Sequence, residues 1–288
     1  MKNLWSLGGL SWRELVMRTW HETWEDEVFG QAGRLAFYHF LAIFPCLLLL
    51  FFLLSHFPTA ETRLRSTLVE SLDRLLPQQS SALLESMIGQ LRDTAHTGAV
   101  RWWSAGAGAV WAAVNGTWAV MAGLNIAYEV KEERPLWKVL AIAIALTVSL
   151  AILFLIALTL VVYVSQWLPA LGVRLVQWPI LAALLLVAFA LFYRFGPNLK
   201  DRRWQWSTPG AAAALVLWLS AAGLMRLYSA HFHSYGVIYK QLNGAATLLL
   251  WFYFTSAGVL IGGEMNSEIE KAVKEKSGQA QPHSREGS

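Results

Sequence analysis

Long runs without Asp, Glu, Lys or Arg dominate this chain. Six of them stand out: Leu35–Phe57, Trp102–Tyr128, Val139–Val164, Leu175–Tyr193, Trp204–Met225 and Gln241–Gly263. A helix rising about 1.5 Å per residue needs about 20 apolar residues to cross a hydrocarbon core. Each run therefore predicts a transmembrane helix. The third is almost wholly Ala, Ile, Leu and Val, while the fourth is the shortest and carries Pro179 near its start, where a helix tolerates proline. The second and sixth carry Gly, Asn, Ser and Thr, which are costly against lipid, so these two helices are expected at the centre of the bundle.

Two further stretches have amphipathic spacing. Ser11-Trp-Arg-Glu14 is a capping box, and Trp12, Val16, Trp20 and Trp24 recur every four residues behind it. This predicts a helix before the first span. Its aromatic stripe either lies along the membrane interface or packs on the bundle. Between the first two spans, Leu64, Leu68, Leu72, Leu75 and Leu76 form one stripe, and Leu83, Leu84, Met87, Ile88 and Leu91 form another after Pro77. These predict a helical hairpin outside the membrane, either a packed cap or a moving, lipid-contacting gate. The expected organisation is thus an all-α integral membrane bundle of six transmembrane helices. Residues 1–34 form a cytoplasmic interfacial helix, 35–270 the membrane domain with the outer hairpin over 58–100, and 271–288 a cytoplasmic tail expected to be disordered.

Composition agrees with the pattern: hydrophobic residues make up 56% of the 288 and charged residues only 15%, with a mean hydropathy of +0.42. That is too little polar surface for an ordinary water-soluble domain. The cationic residues set orientation. With both termini cytoplasmic, inside segments hold 15 Lys and Arg and outside segments 7, with Arg226 at the outer edge of the fifth span. The positive-inside rule favours that orientation. Trp102, Trp103, Trp137, Trp167, Trp178, Trp204 and Trp206 mark the expected interfaces. No signal-peptide core precedes the first span, so no cleaved leader is expected.

Candidate chemistry is sparse. Phosphate-loop, zincin, Cys-x-x-Cys and nucleophile-elbow patterns are absent from the sequence, and its single cysteine is Cys46. His231 and His233 form the one close histidine pair, with no acidic residue beside it, so neither a metal nor a cofactor is expected. Lys200, Arg202 and Arg203 with Trp204 and Trp206 read as a topology anchor rather than a nucleic-acid site. The chain is not expected to be an enzyme.

Polar groups within the spans are expensive and become the functional candidates. Glu264 closes the sixth span, one helical face carrying Tyr253, Ala257, Leu260 and Glu264, with Asn266 just beyond. Its carboxylate either pairs with a cytoplasmic arginine, Arg34 or Arg134, or acts in transport. Asn115 and Asn125 in the second span serve either as interhelical hydrogen-bond partners or as a polar path. Gly108 and Gly116, and Gly258 and Gly262, sit four apart and predict close helix packing. Pro45 predicts a kink in the first span.

Several of these patterns together resemble the YihY/BrkB family of inner-membrane proteins. The run Ala32-Gly-Arg-Leu-Ala-Phe-Tyr38 through Phe44-Pro45 is similar to its first-span motif, and Asn125-Ile-Ala-Tyr128 with Glu133-Arg134-Pro135-Leu-Trp137 to its second connection. Tyr193-Arg-Phe-Gly-Pro197-Asn198, Trp206-Ser-Thr-Pro209-Gly210, Tyr235-Gly236, Leu250-Trp251-Phe-Tyr253 and Gly262-Gly-Glu264-Met-Asn266 resemble later motifs, with Gly263 and Met265 as mild departures from Gly-Ala-Glu-Leu-Asn. The resemblance covers roughly residues 11–270. It implies a six-span plan in a bacterial inner membrane and transport of an amphipathic or lipid-linked cargo. An older label, ribonuclease BN, finds no support in these residues. On this reading Asn115, Asn125, Tyr253, Glu264 and Asn266 line a substrate path, with Arg134 as ion-pair partner at the cytoplasmic side. The expected partners are membrane lipids, with no nucleic acid. The rival expectation is a non-transporting scaffold that gathers envelope proteins.

Overall fold

The computed structural model describes residues 4–55, 86, 99–167, 170–199, 208–231 and 239–279. Among them are a 3-10 segment, Leu4–Gly9, and seven α-helices: α1 (Trp12–Glu25), α2 (Val28–Ser55), α3 (Ala99–Ala127), α4 (Leu136–Trp167), α5 (Ala170–Phe195), α6 (Pro209–His231) and α7 (Tyr239–Gln279). The described residues contain no strand. Four helices are long and apolar enough there to cross a membrane, over Leu136–Ala157, Gln177–Phe195, Pro209–Leu227 and Gly244–Lys276. The outer hairpin falls outside the described residues apart from its few described positions, and so do residues 200–207 with their basic cluster, His233, and the tail beyond Gln279.

The helix ends follow local chemistry. At α1 the Ser11 side chain accepts from the Glu14 amide at 3.2 Å, satisfying one of the amides a helix start leaves orphaned. Glu27, at φ 49°, turns the chain sharply into α2. α2 continues through Pro45 to Ser55. α3 closes with Val130 N–H donating to Asn125 C=O at 2.9 Å around the left-handed Glu129. α6 begins at Pro209, five residues later than the fifth apolar run suggests. Thr208 explains the shift: its hydroxyl accepts from the Ala211 amide at 3.1 Å, and proline suits the first helical position.

α7 is the central helix, packed by α2 and α6 along its length and by α1, α3 and the 3-10 segment near its C-terminal part. Half of its apolar window is buried inside the protein, against 17% for α4. This contrast sets the lipid-facing side: α4 turns Ile144, Val148, Ile152 and Leu155 outward. The core joins Val28, Ala32 and Leu35 of α2 with Val120 and Leu124 of α3, Phe189 and Tyr193 of α5, Ala211 and Ala214 of α6, and Ala257, Val259 and Leu260 of α7. α3 is only half central. Met121 and Leu124 are buried, but Trp111 and Trp118 point outward, because the small residues of this helix serve one face only.

α1 packs Leu15, Thr19 and Thr23 inward, with Leu15 joining Met265 and Ile269 of α7. The aromatic stripe lies on the opposite side: Trp12, Val16, Trp20 and Trp24 are all exposed, and Trp20 and Trp24 gather around Phe29, the first edge-on and the second tilted.

Candidate functional site

Polar side chains converge where α7 meets α1, the α3–α4 connection and the start of α6. Between Ser256 and Ile269, α7 is buried at every position but Ile261, including Glu264, Asn266, Ser267 and Glu268. Small residues make this crowding possible. A Cβ on Gly210 would overlap the Gly262 carbonyl and come within 2.6 Å of Asn266. A Cβ on Gly262 would meet the Tyr193 hydroxyl and lie 2.5 Å from the Gly210 carbonyl. The Tyr193 Oη donates to the Val259 carbonyl at 2.7 Å, which ties α5 to α7 beside this contact.

Asn266 works as a cap supplied from another helix. Its Oδ1 accepts from the Gly210 amide at 3.0 Å, and its Nδ2 donates to Thr208 Oγ1 at 3.0 Å. It thereby satisfies an orphan amide at the start of α6 in a place closed to water.

Asn125 organises a second group. Its Nδ2 donates to Glu132 Oε2 at 2.9 Å, and its Oδ1 accepts from the Asn198 amide at 2.8 Å. Arg134 Nε donates to Glu132 Oε1 at 2.7 Å and its Nη2 to the Gly196 carbonyl at 2.9 Å. The Arg134 hydrogen bonds, helped by Asn125, hold the Glu132 carboxyl below its ordinary range against the opposing effect of burial. The α3–α4 and α5–α6 connections are pinned together by this group.

Glu264 belongs to neither. It is 1% exposed, and neither carboxyl oxygen has a hydrogen-bond partner among the described residues. The expected arginine is not its partner: Arg134 pairs with Glu132, two residues away, and Arg34 with Gln31 on its own helix. Short local reach explains both pairings. The group that faces Glu264 is the carboxyl of Asp26, in the turn between α1 and α2, a second acceptor rather than a donor. Burial, then the charges of Glu22 and Glu129, push the Asp26 carboxyl above its ordinary value. Lys271 stands alongside, with its Nζ 2.7 Å from Glu129, 2.8 Å from Glu268 and 3.4 Å from Glu22.

Asn115 and Tyr253 lie apart from these groups. Asn115 donates to the Trp111 carbonyl at 2.7 Å and lines a groove of about 260 Å³ between α2 and α3, with Gln31, Arg34, Leu35, Tyr38, Trp118, Ala119 and Ala122. Tyr253 packs half-buried against the core, 3.9 Å from where a Gly33 Cβ would stand. The five residues expected to line one path are therefore divided among separate surroundings. A Cβ added at Gly116 would stand 3.7 Å from His39 and one at Gly258 3.5 Å from Leu217, whereas one at Gly108 would meet nothing within 4 Å among the described residues.

Sequence reasoning missed Asp26, the close packing at Gly210 and the Thr117–Thr147 hydroxyl contact of 2.8 Å between α3 and α4. Among the described residues no three His, Cys, Asp or Glu side chains gather in a way that could hold a metal ion.

Comparison with known proteins places this architecture. Over 257 residues the chain is 27% identical to YfkH of Bacillus subtilis, a protein named ribonuclease-like, covering 85% of this chain and 91% of YfkH. It is 26% identical to a UPF0761 membrane protein of Alteromonas mediterranea, covering 90% of this chain and 88% of that one. A UPF0761 membrane protein of Rhodospirillum centenum is 28% identical over 85% of this chain, which spans only 55% of that relative's length. No solved structure matches. Residues 19–287 match the family described as virulence factor BrkB, and with the apolar helices and membrane-protein relatives this shows that the chain is a membrane protein belonging to the BrkB family.

Proposed function

We propose that this protein is a six-span transporter or lipid translocator of a bacterial inner membrane, with both termini cytoplasmic, moving an amphipathic or lipid-linked cargo. The observation that carries the reading is the groove between α2 and α3. There the Arg34 guanidinium and the polar groups of Gln31, Tyr38 and Asn115 stand beside Trp118 and Leu35. A cationic end next to an aromatic and aliphatic wall matches a cargo with an anionic head and an apolar body. The excess of Lys and Arg in alternate connections supports the orientation. The outward aromatic stripe of α1 supports an interfacial position for that helix. Asn125, Glu264 and Asn266 then shape the inner end of the bundle rather than the groove wall.

Reconstitution into vesicles of mixed phospholipids tests this. Fluorescent phospholipid analogues are expected to cross faster than in protein-free vesicles, and Arg34→Ala and Trp118→Ala are expected to slow them with the protein still folded. Equal rates with and without protein, across anionic and zwitterionic analogues, would overturn translocation. A second reading, a non-transporting scaffold of an envelope complex, draws on the tight packing of Gly210 against Gly262 and the fully partnered Asn266. It predicts stable co-purification of an envelope protein and no lipid movement.

A further inference from the structure

Two carboxyl groups in contact cannot both be ionised without strong repulsion, and burial sharpens the conflict. Asp26 and Glu264 are such a pair. Glu264 is buried with both oxygens lacking a donor, and Asp26 Oδ2 is likewise buried without one. Two facing acids with no other donor both stay unsatisfied while ionised. A proton placed on either acid would donate to the other and satisfy both.

The surroundings narrow the ligand. From α1, Glu22 faces the pair; from the α3–α4 connection, Glu129; from α7, Glu268 and Lys271; and the Tyr128 phenol is buried nearby, within the influence of Glu264. Carboxylates outnumber the single ammonium, so the local field favours a bound cation. The ammonium of Lys271 already occupies the space among Glu22, Glu129 and Glu268. What is left between the facing carboxyls of Asp26 and Glu264 is two sets of buried acceptors without a donor, which a proton supplies. We propose that Asp26 and Glu264 share one proton and form a proton-binding latch that holds the α1–α2 turn against α7. The claim is independent of the cargo and of whether the protein translocates lipid.

The sign follows from linkage. Asp26 is shifted upward, so its contribution to the closed latch is full below the ordinary carboxylate pKa and is lost as pH rises through the value in the closed state. One proton released on opening makes the opening constant rise up to about tenfold per pH unit across that window.

Two measurements on the full chain in lipid nanodiscs test the latch. Infrared titration of the unsubstituted protein reads the proton directly. A protonated carboxyl band is expected at neutral pH, disappearing in Asp26→Asn and in Glu264→Gln. Absence of that band in the unsubstituted protein, or its persistence unchanged in both variants, would overturn the shared proton. Opening is read as maleimide reactivity of Thr23→Cys, a fully buried position on the inward face of α1, relative to the exposed Met17→Cys, both in a Cys46→Ser background. The ratio is expected to climb with pH and to become flat when Glu264→Gln is added. A flat ratio without that change would overturn the latch. The infrared titration needs no variant to fold.

Discussion

Replacing Gly210 with alanine tests the packing of the polar end most directly. The added methyl would overlap the Gly262 carbonyl and press within 2.6 Å of Asn266 Cγ and Nδ2. None of these can swing away cheaply: one is helix backbone, and the other is held at 3.0 Å by both Thr208 and the Gly210 amide. Overpacking of this kind costs about 1–3 kcal/mol. Losing the Asn266 cap adds about 1 kcal/mol. A destabilisation of about 3 kcal/mol follows, equivalent to a fall in Tm of roughly 5–10 °C for a chain of this size. Gly30→Ala in α2 is the matched control. A Cβ added there would meet nothing within 4 Å among the described residues, so the helix-propensity gain of about 0.5–1 kcal/mol acts alone. Thermal unfolding of the purified protein in one detergent, read by intrinsic fluorescence and light scattering, compares the two. Unfolding of Gly210→Ala within about 1 kcal/mol of Gly30→Ala would refute the close approach of α6 to α7.

Three further outcomes follow from the same geometry. Tyr193→Phe is expected to cost about 1 kcal/mol through the lost bond to Val259; it also opens space over Gly262, so the double variant with Gly262→Ala is expected to be less unstable than the two single effects added, and strict additivity in a thermal-unfolding cycle would contradict the contact. The Glu132 carboxyl is held low, so its stabilisation is present above the ordinary carboxylate pKa and is lost as pH falls through its lowered value. Acid unfolding of Glu132→Gln is therefore expected to lose part of the pH dependence seen in the unsubstituted protein, and identical acid profiles would count against the Arg134 network. A nitroxide at Val16, on the aromatic side of α1, is expected to be reached by oxygen dissolved in lipid, whereas a water-like accessibility profile would place that helix away from the interface.

Much of the fold was legible because its causes are local. The apolar runs and the long helices α2 to α7 coincide over most of their lengths, and Ser11 caps α1 through Glu14 as the four-residue pattern predicts. The last span carries small and polar residues, and a Cβ at Gly258 would stand 3.5 Å from Leu217 while one at Gly262 would overlap the Tyr193 hydroxyl. The α1 stripe shows a limit. Spacing located the aromatic face, but Leu15, Thr19 and Thr23, a weaker pattern with two polar members, determine which side meets α7.

The site was less legible because its partners are chosen by packing rather than spacing. A buried carboxylate at a helix end asks for a cation, and Arg134 was the natural candidate in the nearby connection. Glu132 lies within easy reach of Arg134 and takes it, along with the carbonyl of Gly196. Glu264 is left facing Asp26, more than two hundred residues earlier in the chain, in a turn that reads as a simple C-cap. Opposite charges attract at any distance the chain allows, so a sequence suggests ion pairs readily. A pair of acids is brought together only when the surrounding structure over-determines the contact and a proton relieves it. Here the over-determination has identifiable parts: Leu15 seated on Met265 and Ile269, the 3-10 segment lying against Ala272, and Lys271 drawing Glu22 and Glu129 together from two elements. Each holds the α1–α2 turn against α7 without help from Asp26. The two acids are therefore the component of this junction whose contribution changes sign with proton occupancy, while the apolar contacts around them stay favourable at every pH.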